Sequence, residues 1–223
     1  MGYNFSFAYV WNFREALLQG LGATLFYTVL SLVFGLALGF VASLLRQYGG
    51  RVPAFIATTY VEIFRGTPVL VQLFWFFFCL PALLGVDLDS SLCTVLSLTL
   101  YMGAISCESF RAALRTIGQE QHDACIALGM RTMPSILYVV LPQAILRAIP
   151  TLLSNVVTVF KESALVSAMG IGDLMYQSQN IADTTGRPVE ILTVAALIYF
   201  VIAFSLTRMI SMFEKRLLWR MAQ

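Results

Sequence analysis

The stretch LLQGLGATLFYTVLSLVFGLALGFVASLL, residues 17–45, carries no charged side chain. A helix needs about 20 apolar residues to cross roughly 30 Å of hydrocarbon, and this run exceeds that. Similar charge-free runs cover Gly66–Val86 and Ser90–Cys107, with a shorter one at Ile191–Thr207. Transmembrane β-strands would instead show alternating segments of roughly 10 residues. The whole chain of 223 residues is 59% apolar and only 12% charged, with a mean hydropathy of +0.81. Soluble domains carry about 25% charged residues, so water is the wrong solvent for this surface. The pattern predicts an all-α integral membrane protein. Its first run is much longer than the roughly 7–15 apolar residues of a signal peptide, and the aromatic, polar MGYNFSFAYVWNF precedes it. It is expected to stay as a span.

The apolar pattern predicts one transmembrane domain, 1–223, with five spans at about 16–45, 53–84, 91–114, 134–165 and 190–213. Pro53 suits a first helical turn, and Pro142 and Pro150 fall within the fourth span. The stretch with Gly170, Gly172, Gly186 and Pro188 reads as an irregular connection. Orientation follows the bias of Lys and Arg toward the cytoplasm. With the N-terminus outside, Arg46, Arg51, Arg65, Arg111, Arg115, Arg131, Lys215, Arg216 and Arg220 all lie inside. Only Arg14 and Arg187 remain outside, and the loop between the second and third spans holds Asp87 and Asp89. The topology is therefore N-out, C-in.

Ser31, Gly35, Gly39 and Ser43 recur every four residues along the first span. Such a stripe lets helix backbones approach closely, either within the chain or, as the alternative, at a subunit interface. Cys79, Cys93, Cys107 and Cys125 lack metal spacing and suggest no disulfide framework. His122 is the single histidine, and without ligands at suitable spacing no metal site is expected. No G-x-x-x-x-G-K-[ST] is present, so the chain itself has no loop for ATP phosphates. It is not expected to be an enzyme, and any energy must come from another polypeptide.

The least hydrophobic segment, QHDACIALGMRTMPSILYVVLP, joins the third and fourth spans. It predicts a short amphipathic helix at about 122–130, parallel to the membrane plane and rimmed by Arg115 and Arg131. The small side chains of Ala124, Cys125 and Ala127 would let a partner close around it. Gly129 sits near its end, where a glycine accepts left-handed dihedrals. The plainer reading is an ordinary loop with one helical turn.

This segment resembles the "EAA" motif of bacterial ABC importer permeases: Glu-Ala-Ala, a Gly six residues after the Glu, and Leu-Pro twelve residues further on. Asp123, Ala124, Cys125, Gly129, Leu141 and Pro142 hold those places, with Asp for Glu and Cys for the second Ala. Glu62-Ile63-Phe64-Arg65-Gly66-Thr67-Pro68, followed by Leu70-Val71-Gln72-Leu73-Phe74, resembles the EIFRGTP element of the polar-amino-acid branch. Glu108-Ser109-Phe110-Arg111 and Lys161-Glu162-Ser163-Ala164-Leu165 are similar to two further elements, all in the family's order. The resemblance implies import of a polar amino acid (glutamate, glutamine, histidine, arginine, cystine or an opine) by alternating access in a bacterial cytoplasmic membrane. It implies a separate ATPase that binds ATP and Mg and grips the Asp123–Gly129 region. A second permease subunit, identical or similar, and a periplasmic or surface amino-acid-binding protein complete the expected partners. No nucleic acid is implied.

Charges inside a membrane need a partner or a function. Glu62 and Arg65, three apart on a helix, can pair, and near the cytoplasmic end of the second span they read, with Gly66, Thr67 and Pro68, mainly as structural. Glu108, about 25 Å along the third helix, either pairs with Arg111 or lines the pathway. Lys161 and Glu162 lie about 39 Å along the fourth helix from Ser135, toward the outer face. As neighbours they point in different directions, so one can face a cavity and the other the interface; the alternative is a snorkelling pair. An amino acid would need a carboxylate for its ammonium group, and Glu162 with Asn155 on one face is the candidate. Arg147, between the two prolines, could snorkel, pair with another subunit or meet substrate. A self-sufficient channel or secondary transporter is the rival class. It calls for inverted repeats or broken-helix pairs, which the sequence does not display. A membrane scaffold that only recruits a partner is a third reading.

Overall fold

The computed structural model describes Ser6, residues 8–85 and residues 87–221, with only the backbone described at 8, 122 and 213–221. The side chains of His122, Lys215, Arg216 and Arg220, singled out above, lie outside the described set. Among the described residues every regular element is helical. We number them α1 (Ala8–Asn12), α2 (Arg14–Tyr48), α3 (Arg51–Gly66), α4 (Val69–Leu84), α5 (Ser90–Arg115), α6 (Gln119–Ala127), α7 (Thr132–Met169), α8 (Leu174–Thr185) and α9 (Pro188–Met221). By length and apolarity α2, α5, α7 and the Pro188–Met212 part of α9 can each cross a bilayer.

The expected second span, 53–84, is not one straight helix. α3 and α4 meet at a bend of 108°. Proline at 68 has no N–H, and its ring pushes the preceding residue out of the helical region. Thr67 accordingly adopts φ −109°, ψ 142°. Counted as one broken span, the pair brings the number of crossings to five. α4 and α7 each contain a wider π-type turn, Trp75–Cys79 and Ile136–Val140, just ahead of Pro81 and Pro142. A wide turn relieves the clash of a proline ring with the carbonyl four residues back.

The small-residue stripe of α2 forms a seam within the chain. A Cβ on Gly35 would lie 2.6 Å from the Met102 side chain, and one on Gly39 would lie 2.7 Å from the Gly103 carbonyl of α5. Only glycine allows this approach. The pair α2–α5 is the most extensive in the molecule and forms its spine. Bulky apolar residues point away from the spine on two outer faces. Leu18, Phe26, Val29 and Val33 are exposed on α2, as are Leu197, Phe200 and Val201 on α9. Their natural solvent is hydrocarbon.

The connection expected to be irregular contains a further helix, α8. The Asp173 carboxylate accepts the Tyr176 N–H at 2.9 Å as its N-cap, and Gly186 ends it in the left-handed conformation at φ 65°. α8 seats on α2, where Thr24 Oγ1 accepts the Leu174 N–H at 3.0 Å. A Cβ on Gly20 would be 2.8 Å from the Asp173 carbonyl. Leu17, Leu174, Ile181, Ala182 and Ile191 form the apolar cluster beneath it.

Candidate functional site

The break between α3 and α4 leaves backbone acceptors without their helical partners. Phe64 loses its partner because Pro68 cannot donate. The buried side chain of Gln72, one turn into α4, fills the gap. Its Nε2 donates to the Phe64 carbonyl at 2.8 Å, the Thr67 carbonyl at 3.0 Å and the Thr67 hydroxyl at 2.9 Å. A polar residue inside an apolar helix thus has a structural purpose. Val69 and Leu73 then pack on Leu98, Val166, Met169 and Ile171, which fixes α4 against α5 and the end of α7.

Beside the break lies a carboxylate shared by several cations. Glu108 of α5 binds Arg46 of α2 and Arg111 of its own helix, and Arg65 of α3 stands 3.7 Å away. The Glu108–Arg111 pairing is present and is one part of a larger cluster. The Glu62–Arg65 pair that the spacing allows is not formed: Glu62 faces outward without an ion pair among the described residues, and Arg65 turns to Glu108. Spacing of three made the local pair geometrically open to both residues. Glu108, already flanked by two more guanidiniums, holds Arg65 between helices instead. The Arg65 side chain remains 46% exposed.

That exposed guanidinium opens onto a cavity of about 430 Å³, lined by the broken turn Arg65–Leu70 together with Tyr101, Glu162 and Leu165. Glu162, the last residue of the α-helical part of α7, is thus brought to the same space as Arg65, Gly66, Thr67 and Pro68. Lys161 points elsewhere and is exposed. Asn155 does not join Glu162, because its amide donates to Ser109 Oγ on α5 at 2.9 Å. Arg147 lies outside this cavity also. It binds the carbonyl of Thr116 at the end of α5 and the Thr116 hydroxyl at 3.2 Å.

The loop helix α6 spans 119–127, three residues earlier than expected at each end. It is not amphipathic. Ile126 and the following Leu128 are 72% and 78% exposed, whereas the small Cys125 is 3% exposed. The two apolar residues therefore stand out from the surface beside the exposed Asp123, Ala124 and Gly129. Gln119 Nε2 donates to Asp123 Oδ1 at 3.2 Å. The helix closes by a Schellman arrangement: Met130 N–H donates to the Cys125 carbonyl and Gly129 N–H to the Ile126 carbonyl, both at 2.9 Å. Gly129 takes φ 70°, a conformation that costs other residues about 1–2 kcal/mol. The Leu141–Pro142 pair begins the straight part of α7, with Pro142 exposed.

Among the described residues one apolar helix pair is broken in this way, a feature otherwise associated with the rival transporter class. It occurs singly rather than as a repeat-related pair. Gln72 stands in the quoted Leu70–Phe74 element, but its role as a plug was not read from sequence. A buried amide four residues after a proline was the available signal.

Residues 31–219 match the family described as "Binding-protein-dependent transport system inner membrane component". The chain is 36% identical over 201 residues to the arginine transport system permease protein ArtQ of Bacillus subtilis (strain 168), covering 90% of this chain and 92% of that protein. It is 30% identical over 214 residues to the glutamine transport system permease protein GlnP of Escherichia coli (strain K12), covering 96% and 98%. Among solved structures, a chain of "an amino acid ABC transporter with histidines" superposes with a TM-score of 0.90 at 30% identity, covering 96% of this chain and 100% of that one. A chain of the inward-facing MetNI methionine ABC transporter gives 0.70 at 21% identity over 90% and 97%. This last likeness concerns the fold.

Proposed function

The chain belongs to the family of binding-protein-dependent transport system inner membrane components, and from that premise we propose that it is the permease subunit of an ATP-driven importer of polar amino acids. The observation that carries this reading is the match along nearly the whole chain to amino-acid permeases, ArtQ and GlnP among them. The bent α3–α4 pair counts as one span, giving five crossings with the N-terminus outside and the C-terminus inside a bacterial cytoplasmic membrane. This arrangement keeps Arg46, Arg51, Arg111, Arg115 and Arg131 on the cytoplasmic side, as the positive-inside bias requires, while Arg65, expected there with them, lines the cavity at the helix break.

The exposed loop helix α6 is the handle for the ATPase. ATP and Mg bind in that partner subunit. Asp123, Ala124, Cys125 and Gly129 shape the helix, and Ile126 and Leu128 supply its exposed apolar contact. A second permease subunit, identical or similar, completes the pathway, and an external amino-acid-binding protein delivers the substrate. ATP-driven closure of the partner subunits pulls on α6 and tilts α7 about its Pro142–Pro150 region, so that access alternates.

The cavity at the helix break is the substrate site. An amino acid presents a carboxylate and an ammonium group. Arg65, held by Glu108 yet half exposed, offers donors to the carboxylate, and Glu162 across the same space offers oxygens to the ammonium. Glu108 positions Arg65. Lys161, Asn155 and Arg147 lie outside this cavity.

Uptake of a panel of radiolabelled amino acids into ATP-loaded vesicles that contain the complete complex tests the reading. One polar amino acid, or a small group, accumulates only with ATP, and Glu162→Gln lowers that uptake by about ten-fold or more while the complex still assembles. An unchanged rate would remove Glu162 from the site. Failure of every amino acid would remove the function.

A further inference from the structure

Helix α6 hangs from α5 by three residues, Thr116, Ile117 and Gly118. So short a connection with a glycine would swivel if left free. Here one face of α7 grips it at three levels. At the top, the Arg147 guanidinium donates from Nη1 to the carbonyl of Thr116 and to its hydroxyl at 3.2 Å. Thr116 is the C-cap of α5, where the terminal acceptors have no partner within the helix and a cation also favours the helix dipole. One turn earlier, Gln143 Nε2 donates to Gln121 Oε1 of α6 at 3.2 Å. Beneath both, Ile117 is buried with Leu114, Val140 and Ala144. The gripping positions 140, 143, 144 and 147 follow the i, i+3, i+4, i+7 spacing of one helical face.

We propose that Arg147 is a positioning residue for ATP-driven transport: by holding Thr116 it locks α5, α6 and α7 into one lever. A pull on α6 then moves the helix that carries Glu162, about 22 Å further along α7 at the usual rise per residue. This inference rests on the permease reading above and adds how force reaches the cavity. The two N–H groups of Nη1 serve the carbonyl and the hydroxyl together, and the guanidinium stays charged at every working pH. A simple helix cap would affect only how much complex forms. A lever affects how much substrate moves for each ATP consumed.

The test is the ratio of amino-acid uptake to phosphate release, measured in the same vesicles with the complete complex. Arg147→Ala lowers the ratio about five-fold, in the range of coupling energies between linked elements, while the ATPase still co-purifies. Arg147→Lys, which keeps the cation, recovers about half of the loss. If the alanine variant fails to assemble, Gln143→Ala removes only a neutral contact and lowers the ratio about two-fold. A wild-type ratio in Arg147→Ala, or in both Arg147→Lys and Gln143→Ala, overturns the lever and leaves the permease reading intact. Absence of ATP-dependent uptake by the unmodified complex overturns that reading and the lever with it.

Discussion

The chain leaves a helix at Gly129 and at Pro68, and the two exits meet opposite demands. At Gly129 the helix ends on an exposed loop. Its last carbonyls are closed by the backbone N–H groups of Gly129 and Met130, and water can serve the rest. At Pro68 the helix ends within a span. The carbonyls of Phe64 and Thr67 lose their helical partners there, and a side chain from the next helix, Gln72, reaches back to them. The exposed end is self-sufficient and stands out from the surface. The buried end depends on tertiary structure and shapes a cavity. Changes at the buried exit should therefore damage the fold, and changes at the exposed exit should damage assembly.

The largest effect is expected beside the buried exit. Glu108→Leu leaves Arg46, Arg65 and Arg111 without their shared carboxylate, a loss of about 3 kcal/mol or more by the behaviour of broken buried ion pairs. Thermal unfolding in detergent would show it as a sharply lowered midpoint. Next comes Gln72→Leu, which fills the space but removes the three hydrogen bonds that Gln72 makes at the break, about 2 kcal/mol in all. The same unfolding measurement reads it, and a midpoint equal to wild type would show that the break does not need its plug. Gly129→Ala forces a side chain to φ 70° at about 1 kcal/mol. Its main readout is weaker co-purification of the ATPase, with the unfolding midpoint moved less than by Gln72→Leu. Gly129→Asp, bulkier and charged, should detach the partner or uncouple it. A reversed order of the Gln72 and Gly129 midpoints would break the comparison.

The smallest effect concerns a third helix end, the start of α8. Burial pushes the Asp173 carboxyl up to about 6, against an unfolded value of about 3.9. The fold therefore favours the protonated form, and stability falls as pH rises from about 4 through about 6. The groups facing Asp173 are the Tyr199 hydroxyl, 3.4 Å away, and the N–H groups of Tyr176 and Met175. Asn caps helices as well as Asp, so Asp173→Asn should flatten that pH dependence and stabilise the protein slightly at neutral pH. Unfolding midpoints at pH 5 and pH 7.5 decide it.

Much of this contrast was legible in the sequence, but unevenly. Charge-free runs gave the spans, because hydrocarbon imposes a length that composition reveals directly. Gly129 and the stripe Ser31–Ser43 were legible because glycine and small residues have few other purposes at such spacing. The bend at Thr67–Pro68 was missed although its cause stands in the sequence; an apolar run over 53–84 looks continuous while proline's local rule breaks it. Helix α8 was hidden by the glycines that flank it, Gly170, Gly172 and Gly186, and its start signal was the capping Asp173. The cavity escaped for a different reason. Arg65 chose Glu108 over the nearer-in-sequence Glu62, and Arg147 chose Thr116, 31 residues away. Such partnerships are set by helix packing, which no local spacing encodes.

The central claim is that this chain opens and closes a pathway only when another subunit drives it through α6. The most direct measurement is uptake of the transported amino acid into sealed vesicles, with the chain reconstituted once alone and once with its ATPase and binding protein. Accumulation is predicted only in the complete complex, only with ATP inside the compartment that α6 faces, and is lost with Gly129→Asp. Accumulation by the chain alone, in the absence of ATP, would contradict the account.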